Sequence, residues 1–138
     1  MHDDTISCQR YDVKVTKVSD VGVVFGYAIV STIDGEPYFD LQGDHIPDDA
    51  ILKAAVDFVE SGAIGKTMHA GDVSGKVLFV WPVSADLHKA FDQVSKTTGL
   101  QIGFKPDNAE DVQKFRDGVF TGFSIGGERG IDEEVTNG

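Results

Sequence analysis

Two hydrophobic rhythms alternate along this chain. Val13 to Val18 can form a short strand. Val21 to Ser31 (VGVVFGYAIVS), β-branched, aromatic and apolar on both faces, is the strongest strand signal. Asp34-Gly35, within Ile33 to Tyr38, marks a hairpin or loop, and Phe39 to Ile46 reads as a polar loop or short strand. Pro47-Asp48-Asp49 then opens a helix that Asp48 can cap, with Ile51, Leu52, Ala55, Val56 and Val59 on one stripe and Gly62 as its stop. Gly65 to Gly75 is glycine-rich and carries His69. Lys76 to Val83 is a second strong strand, whose Pro82 marks an edge or an end. Asp86 caps a second helix with Leu87, Ala90, Phe91 and Val94 as its buried face and Gly99 at its end. Leu100 to Phe104 is a short strand. A third helix runs from about Asn108 to Arg116, with Val112 and Phe115 inward, Glu110 and Lys114 as an i,i+4 pair, and Gly118 after it. Val119 to Ile125 is the last strand. The sum is an α+β fold: a small, mostly antiparallel β-barrel or curved sheet surrounded by about three helices.

That last strand runs into Thr121-Gly122-Phe123-Ser124-Ile125-Gly126-Gly127. Strand alternation puts Phe120, Gly122, Ser124 and Gly126 on one face, and Val119, Thr121, Phe123 and Ile125 on the other. The second face reads as core. The first is nearly bare, which leaves room for a peptide to reach the Ser124 hydroxyl. A serine nucleophile needs a base within hydrogen-bond reach and donors for the oxyanion. Of four histidines, His2 lies in a polar arm and His88 lies off the apolar stripe of its helix; His45 and His69 remain. His69 follows Met68 just before a strong strand, a place where a rigid frame can hold a catalytic loop residue.

Composition narrows the classes. The 138 residues, 41% of them hydrophobic, suit one domain. Twelve basic residues against 23 acidic ones give a net charge of −11, which argues against nucleic acid and anionic membranes as partners. Phe79, Trp81 and the other aromatics fall in predicted strands and read as core, not as a base-stacking platform. The acidic clusters, among them Asp48-Asp49 and Asp132-Glu133-Glu134, read as solvated surface. One cysteine, Cys8, excludes an internal disulfide and fits a reducing compartment. No metal-ligand spacing, Walker loop or dinucleotide fingerprint occurs, so no metal or cofactor is expected. No apolar run reaches the length of a membrane span, and the N-terminal residues do not form a signal peptide.

Three marks in order resemble the prohead (capsid maturation) proteases of tailed bacteriophages. They are most similar to the branch named after a protease of a defective Bacillus prophage. The marks are Asp40-Leu41-Gln42-Gly43-Asp44 ahead of the first helix, Met68-His69 after it, and Gly122-Phe123-Ser124-Ile125-Gly126-Gly127. The resemblance runs from about Gly22 to Gly127 and implies the fold of herpesvirus assemblin. It also implies Ser124 as nucleophile and His69 as general base. Backbone N–H groups near Gly126 and Gly127 would serve the oxyanion, with Arg129 a second candidate there. Relatives continue past the serine into a strand with a Glu-x-Ser-Leu-Val-like segment; no such strand is predicted for Asp132-Glu133-Glu134-Val135-Thr136-Asn137-Gly138. The third member of the triad therefore falls to Asp44, with Asp72 as a further fallback.

On this reading residues 1–10 are a flexible arm, 11–127 the protease-like domain and 128–138 an acidic flexible tail. The implied substrates are phage scaffold and major capsid proteins, and the chain itself. The implied place is the host bacterial cytoplasm, within the procapsid, with a homo-oligomer as a further partner state. A protease-fold module without activity is the alternative. An esterase is weaker, because no strand-turn-helix nucleophile elbow surrounds Ser124.

Overall fold

A computed structural model of the chain describes residues 11–40, 43–125 and 131–133. Among them eight strands form one sheet: β1 (Tyr11–Val18), β2 (Val24–Ile33), β3 (Glu36–Pro37), β4 (Thr67–Ala70), β5 (Val73–Val83), β6 (Thr97–Pro106), β7 (Phe120–Ile125) and β8 (Ile131–Glu133). Three α-helices accompany it: α1 (Ile51–Glu60), α2 (Ala85–Ala90) and α3 (Ala109–Arg116). The sheet order is β4-β5-β6-β2-β1-β7-β8, with β3 paired to β2, and every pairing is antiparallel. The sheet curls until β4 comes against β7. This is the α+β curved-sheet architecture that the hydrophobic pattern predicts.

The core lies on one face of the sheet. Val13, Val24, Val77, Ile102, Phe104 and Phe123 point into it, and Phe58 of α1 and Phe115 of α3 close it. The rings of Phe104 and Phe123 lie 5.0 Å apart, and Phe115 meets Phe123 edge-on at 5.8 Å, arrangements that aromatic quadrupoles favour. A second cluster joins Ile51 and Ala55 of α1 to Leu100. Cross-strand partners share a face, so the register also defines what the other, outer face carries.

Several local expectations change. In α1 the buried residues are Ile51, Ala55 and Phe58, an i, i+4, i+7 stripe, while Leu52, Val56 and Val59 are exposed. The phenyl ring of Phe58 offers the core more apolar area than a valine would and packs 5.8 Å from the Tyr11 ring. Asp48 lies in a 3-10 turn and does not cap α1; its Oδ2 accepts from the Ala85 backbone N–H at 2.8 Å, at the start of α2. Ser84, not Asp86, is the α2 cap, its Oγ accepting from Leu87 N at 3.3 Å. That helix stops at Ala90, so Phe91 and Val94 are exposed, not buried. Gly99 lies inside β6 and does not end a helix.

The glycine-rich stretch around His69 is not a loop but the β4–β5 hairpin. Gly75 misleads here: it sits inside β5 because a Cβ would run into the Lys105 carbonyl and the Phe104 ring. Beyond the serine motif, where the sequence predicts no strand, Ile131–Glu133 pairs with β7 as β8. The rest of the expected tail, and the arm at residues 1–10, lie outside the described residues.

Candidate active site

Ser124 reaches its place through alternation. Phe123 and Ile125 are buried in the core, so Ser124 between them takes the outer face. The same logic acts in β1, where Tyr11 and Val13 point inward and Asp12 outward. The two strands pair with Asp12 directly opposite Ser124. Opposed side chains on neighbouring strands stand about 5 Å apart at Cβ, within reach of a hydrogen bond. Ser124 Oγ donates to Asp12 Oδ1 at 2.6 Å, the short distance expected of a hydroxyl bonded to a carboxylate.

Ser124 is 1% exposed. A hydroxyl has one hydrogen to give, and here it goes to Asp12. The nearly bare face expected around this serine is therefore a closed one. Phe120, on the same sequence parity, is also buried, against Phe115 at 5.2 Å. A register irregularity between Phe120 and Gly122, where β7 meets β8, breaks the simple alternation.

His69 obeys the same rule on β4. Met68 packs against the cluster that holds Phe123, so His69 takes the outer face and is exposed. The curl that sets β4 against β7 thus brings together the strands carrying His69 and Ser124. Directly opposite His69 in the hairpin stands Ser74. Ser74 Oγ donates to Asp107 Oδ2 at 2.7 Å, and the Asp107 N–H donates to the Ser74 carbonyl at 2.8 Å. Lys76 lies 3.7 Å from Asp107 Oδ1. The Ser74 hydroxyl holds the Asp107 carboxyl below its ordinary range, with the charges of Lys76 and His69 adding to the effect.

The remaining candidates fall elsewhere. Asp44 is exposed in a turn closed on Asp40: the Asp44 N–H donates to Asp40 Oδ1 at 2.9 Å, and the Asp40 N–H to the Asp44 carbonyl at 2.9 Å. Asp72 is an exposed residue of the tight turn between β4 and β5. His45 Nδ1 lies 3.0 Å from the Tyr38 carbonyl oxygen, outside the sheet. Gly126, Gly127 and Arg129 lie outside the described residues. Among the described residues no group of three or more His, Cys, Asp or Glu side chains could hold a metal ion, and no helix is long and apolar enough to cross a membrane.

Sequence reasoning missed Asp12 and the Ser74–Asp107 pair. Alternation around Tyr11-Asp12-Val13 does signal an outward Asp12. What it lacks is register: nothing local says that β1 lies beside β7, 112 positions away.

One family model matches the chain, over residues 12–133, and its description is "Putative phage serine protease XkdF". The matched span takes in Asp12, His69, Asp107 and Ser124. No curated protein and no solved structure matches the chain.

Proposed function

The chain belongs to this XkdF family of phage serine proteases, and from that membership we propose that it is an endopeptidase with Ser124 as nucleophile and His69 as general base. The observation that carries the reading is the placement of both side chains on the outer face, on strands that the curl sets against each other.

For attack, the Ser124 hydroxyl turns from Asp12 toward His69, which takes its proton as Oγ bonds to the scissile carbonyl carbon. The tetrahedral intermediate collapses with loss of the amine, to which the imidazolium returns the proton. Water, deprotonated by His69, then attacks the acyl carbon, and the imidazolium returns the proton to Ser124 Oγ as the acyl–oxygen bond breaks. Asp107 is the carboxylate we assign to the third position, in place of Asp44, because it is bonded to Ser74, which stands directly opposite His69 in the hairpin. The N–H groups of Gly126 and Gly127 would receive the oxyanion, with Arg129 as the second candidate. The substrates we assign are extensions of phage scaffold and capsid proteins, and the chain itself, cut inside the procapsid in the host cytoplasm.

Co-expression with the neighbouring scaffold and capsid proteins tests this. Cleavage in the parent protein and none in Ser124→Ala or His69→Ala is the expected result; unchanged cleavage in either variant removes that residue from the mechanism.

A second reading, a protease fold that serves as an inactive module in the procapsid, draws on the buried Ser124 and its bond to Asp12. A fluorophosphonate probe separates the two. Labelling of the parent but not of Ser124→Ala rules the inactive module out.

A further inference from the structure

The outer face of the sheet carries aromatic side chains that no helix covers. Along one row of the ladder Lys17, Phe25, Gly103 and Phe79 are successive partners. Along the next, Gly122, Lys14, Tyr27, Gln101 and Trp81 are. Phe25 and Phe79 stack at 6.3 Å and 12° across Gly103. Gly103 permits this contact: a Cβ there would lie 2.9 Å from Phe79 and 3.2 Å from Phe25. Trp81 meets Phe91 of the segment after α2 at 6.1 Å. Yet Phe79 is 52%, Trp81 45% and Phe91 55% exposed. Large aromatics grouped at a surface, rather than scattered, mark a place where something binds.

Charge says what. Among the described residues the ladder positions of this face hold Lys14, Lys17, Lys76 and Lys105, against Asp12 and Asp132, with Asp107 beside Lys76 just past the end of β6, although the whole chain carries −11. We infer that this face docks an acidic protein segment that carries apolar side chains: the rings take the apolar groups and the lysines the carboxylates. A second copy meeting this face with its own would set the lysines against their equivalents. A single-stranded nucleic acid would suit rings and lysines, but it bears a charge on every residue and meets the repulsion of a strongly anionic protein. A short acidic segment feels mainly the lysines within about 10 Å of it. The second row continues past Gly122 to Asp132 of β8, so Lys14 lies toward its middle and Trp81 at its β5 end. Binding itself does not rest on the proteolytic reading.

Trp81 is the only tryptophan in the chain and reports directly on the face. The test titrates full-length Ser124→Ala protein, in which cleavage plays no part, with a synthetic peptide of alternating glutamate and leucine. The Trp81 emission should move saturably to shorter wavelength, and added salt should weaken binding. The double variant Lys14→Glu/Lys17→Glu, altered only at exposed positions, should bind at least tenfold more weakly with an unchanged circular dichroism spectrum. Phe79→Ser should weaken binding with the charges kept; if it does not fold, the lysine variant alone decides. No emission shift, or an equal shift with an alternating lysine–leucine peptide, overturns the proposal. So does a response to oligothymidylate alone, or a concentration-dependent shift without peptide, which would make the occupant a second copy.

Discussion

Two serines on the outer face donate to an aspartate from a neighbouring segment at almost the same distance, Ser124 to Asp12 at 2.6 Å and Ser74 to Asp107 at 2.7 Å. The likeness ends at burial. Ser124 is 1% exposed and its bond to the exposed Asp12 is part-buried, whereas the Ser74–Asp107 bond is solvent-exposed and stands opposite His69. Water competes for an exposed hydrogen bond and screens its charge, so such a bond adds little to stability. A buried hydroxyl that loses its acceptor has no water to turn to. The first pair therefore holds a strand and restrains a candidate nucleophile; the second tunes the surroundings of a candidate base.

The largest way to separate the pairs is through activity. On the proteolytic reading, Ser124→Ala should reduce cleavage by at least about 10⁴-fold, as loss of a nucleophile does elsewhere, and His69→Ala by a similar factor. The two variants should part in stability. His69 is exposed, so His69→Ala should melt at the parent temperature. Ser124→Ala should melt lower, because it removes a charge-assisted bond from a buried position. Equal melting of all three proteins would show that the Ser124–Asp12 bond contributes nothing to the fold.

What the sequence reveals of this arrangement divides along physical lines. The strands around Phe25, Val80 and Phe123 are legible because their apolar alternation is long and β-branched or aromatic. The α3 stripe of Val112 and Phe115 is legible because it is short and unambiguous. The glycines at positions 71 and 75 hide the β4–β5 hairpin, since composition cannot distinguish a glycine needed for close approach from one in a loop. Two adjacent apolar stripes on α1 compete, and only packing against Tyr11 selects the one with Phe58. Ser124 and His69 are named by motif. Their surroundings, Asp12 and Asp107, depend on register between distant strands, which no local pattern encodes.

Asp12 offers the next test. Asp12→Ala leaves the buried Ser124 hydroxyl without its acceptor and should cost about 1–3 kcal/mol in denaturant unfolding. Asp12→Asn keeps an acceptor oxygen but removes the charge, and should cost less. If restraint by Asp12 limits the nucleophile, Asp12→Asn should also label faster with a fluorophosphonate than the parent does. Slower labelling would instead make Asp12 a positioning residue for the reactive rotamer.

Alkali attacks the first pair from the core side. Tyr11, next to Asp12, is buried, and its phenol is pushed up to about 12, first by burial and then by the charge of Asp57. The unfolded chain titrates near 10, so the stabilising contribution is complete below pH 10 and is lost as pH rises through about 12. Thermal melts across that window should show a decline that Tyr11→Phe abolishes.

The smallest effect belongs to that exposed pair. The Asp107 carboxyl is held below its ordinary range, first by the Ser74 hydroxyl. A group with a lowered folded value stabilises above the unfolded carboxylate range and loses that contribution as pH falls through the folded one. Solvent screening makes the contribution slight. Ser74→Ala and Asp107→Asn should therefore melt with the parent at neutral pH, in contrast to Asp12→Ala. Their mark should be catalytic: Asp107→Asn removes a carboxylate charge from the pair opposite His69 and should lower kcat/KM by roughly tenfold or less, an exposed partner being worth far less than a buried one. Ser74→Ala keeps that charge and should lower kcat/KM less than Asp107→Asn does. A melting temperature depressed as far as in Asp12→Ala would mean that burial does not distinguish the two pairs; loss of activity as complete as in His69→Ala would make Asp107 a full member of the triad.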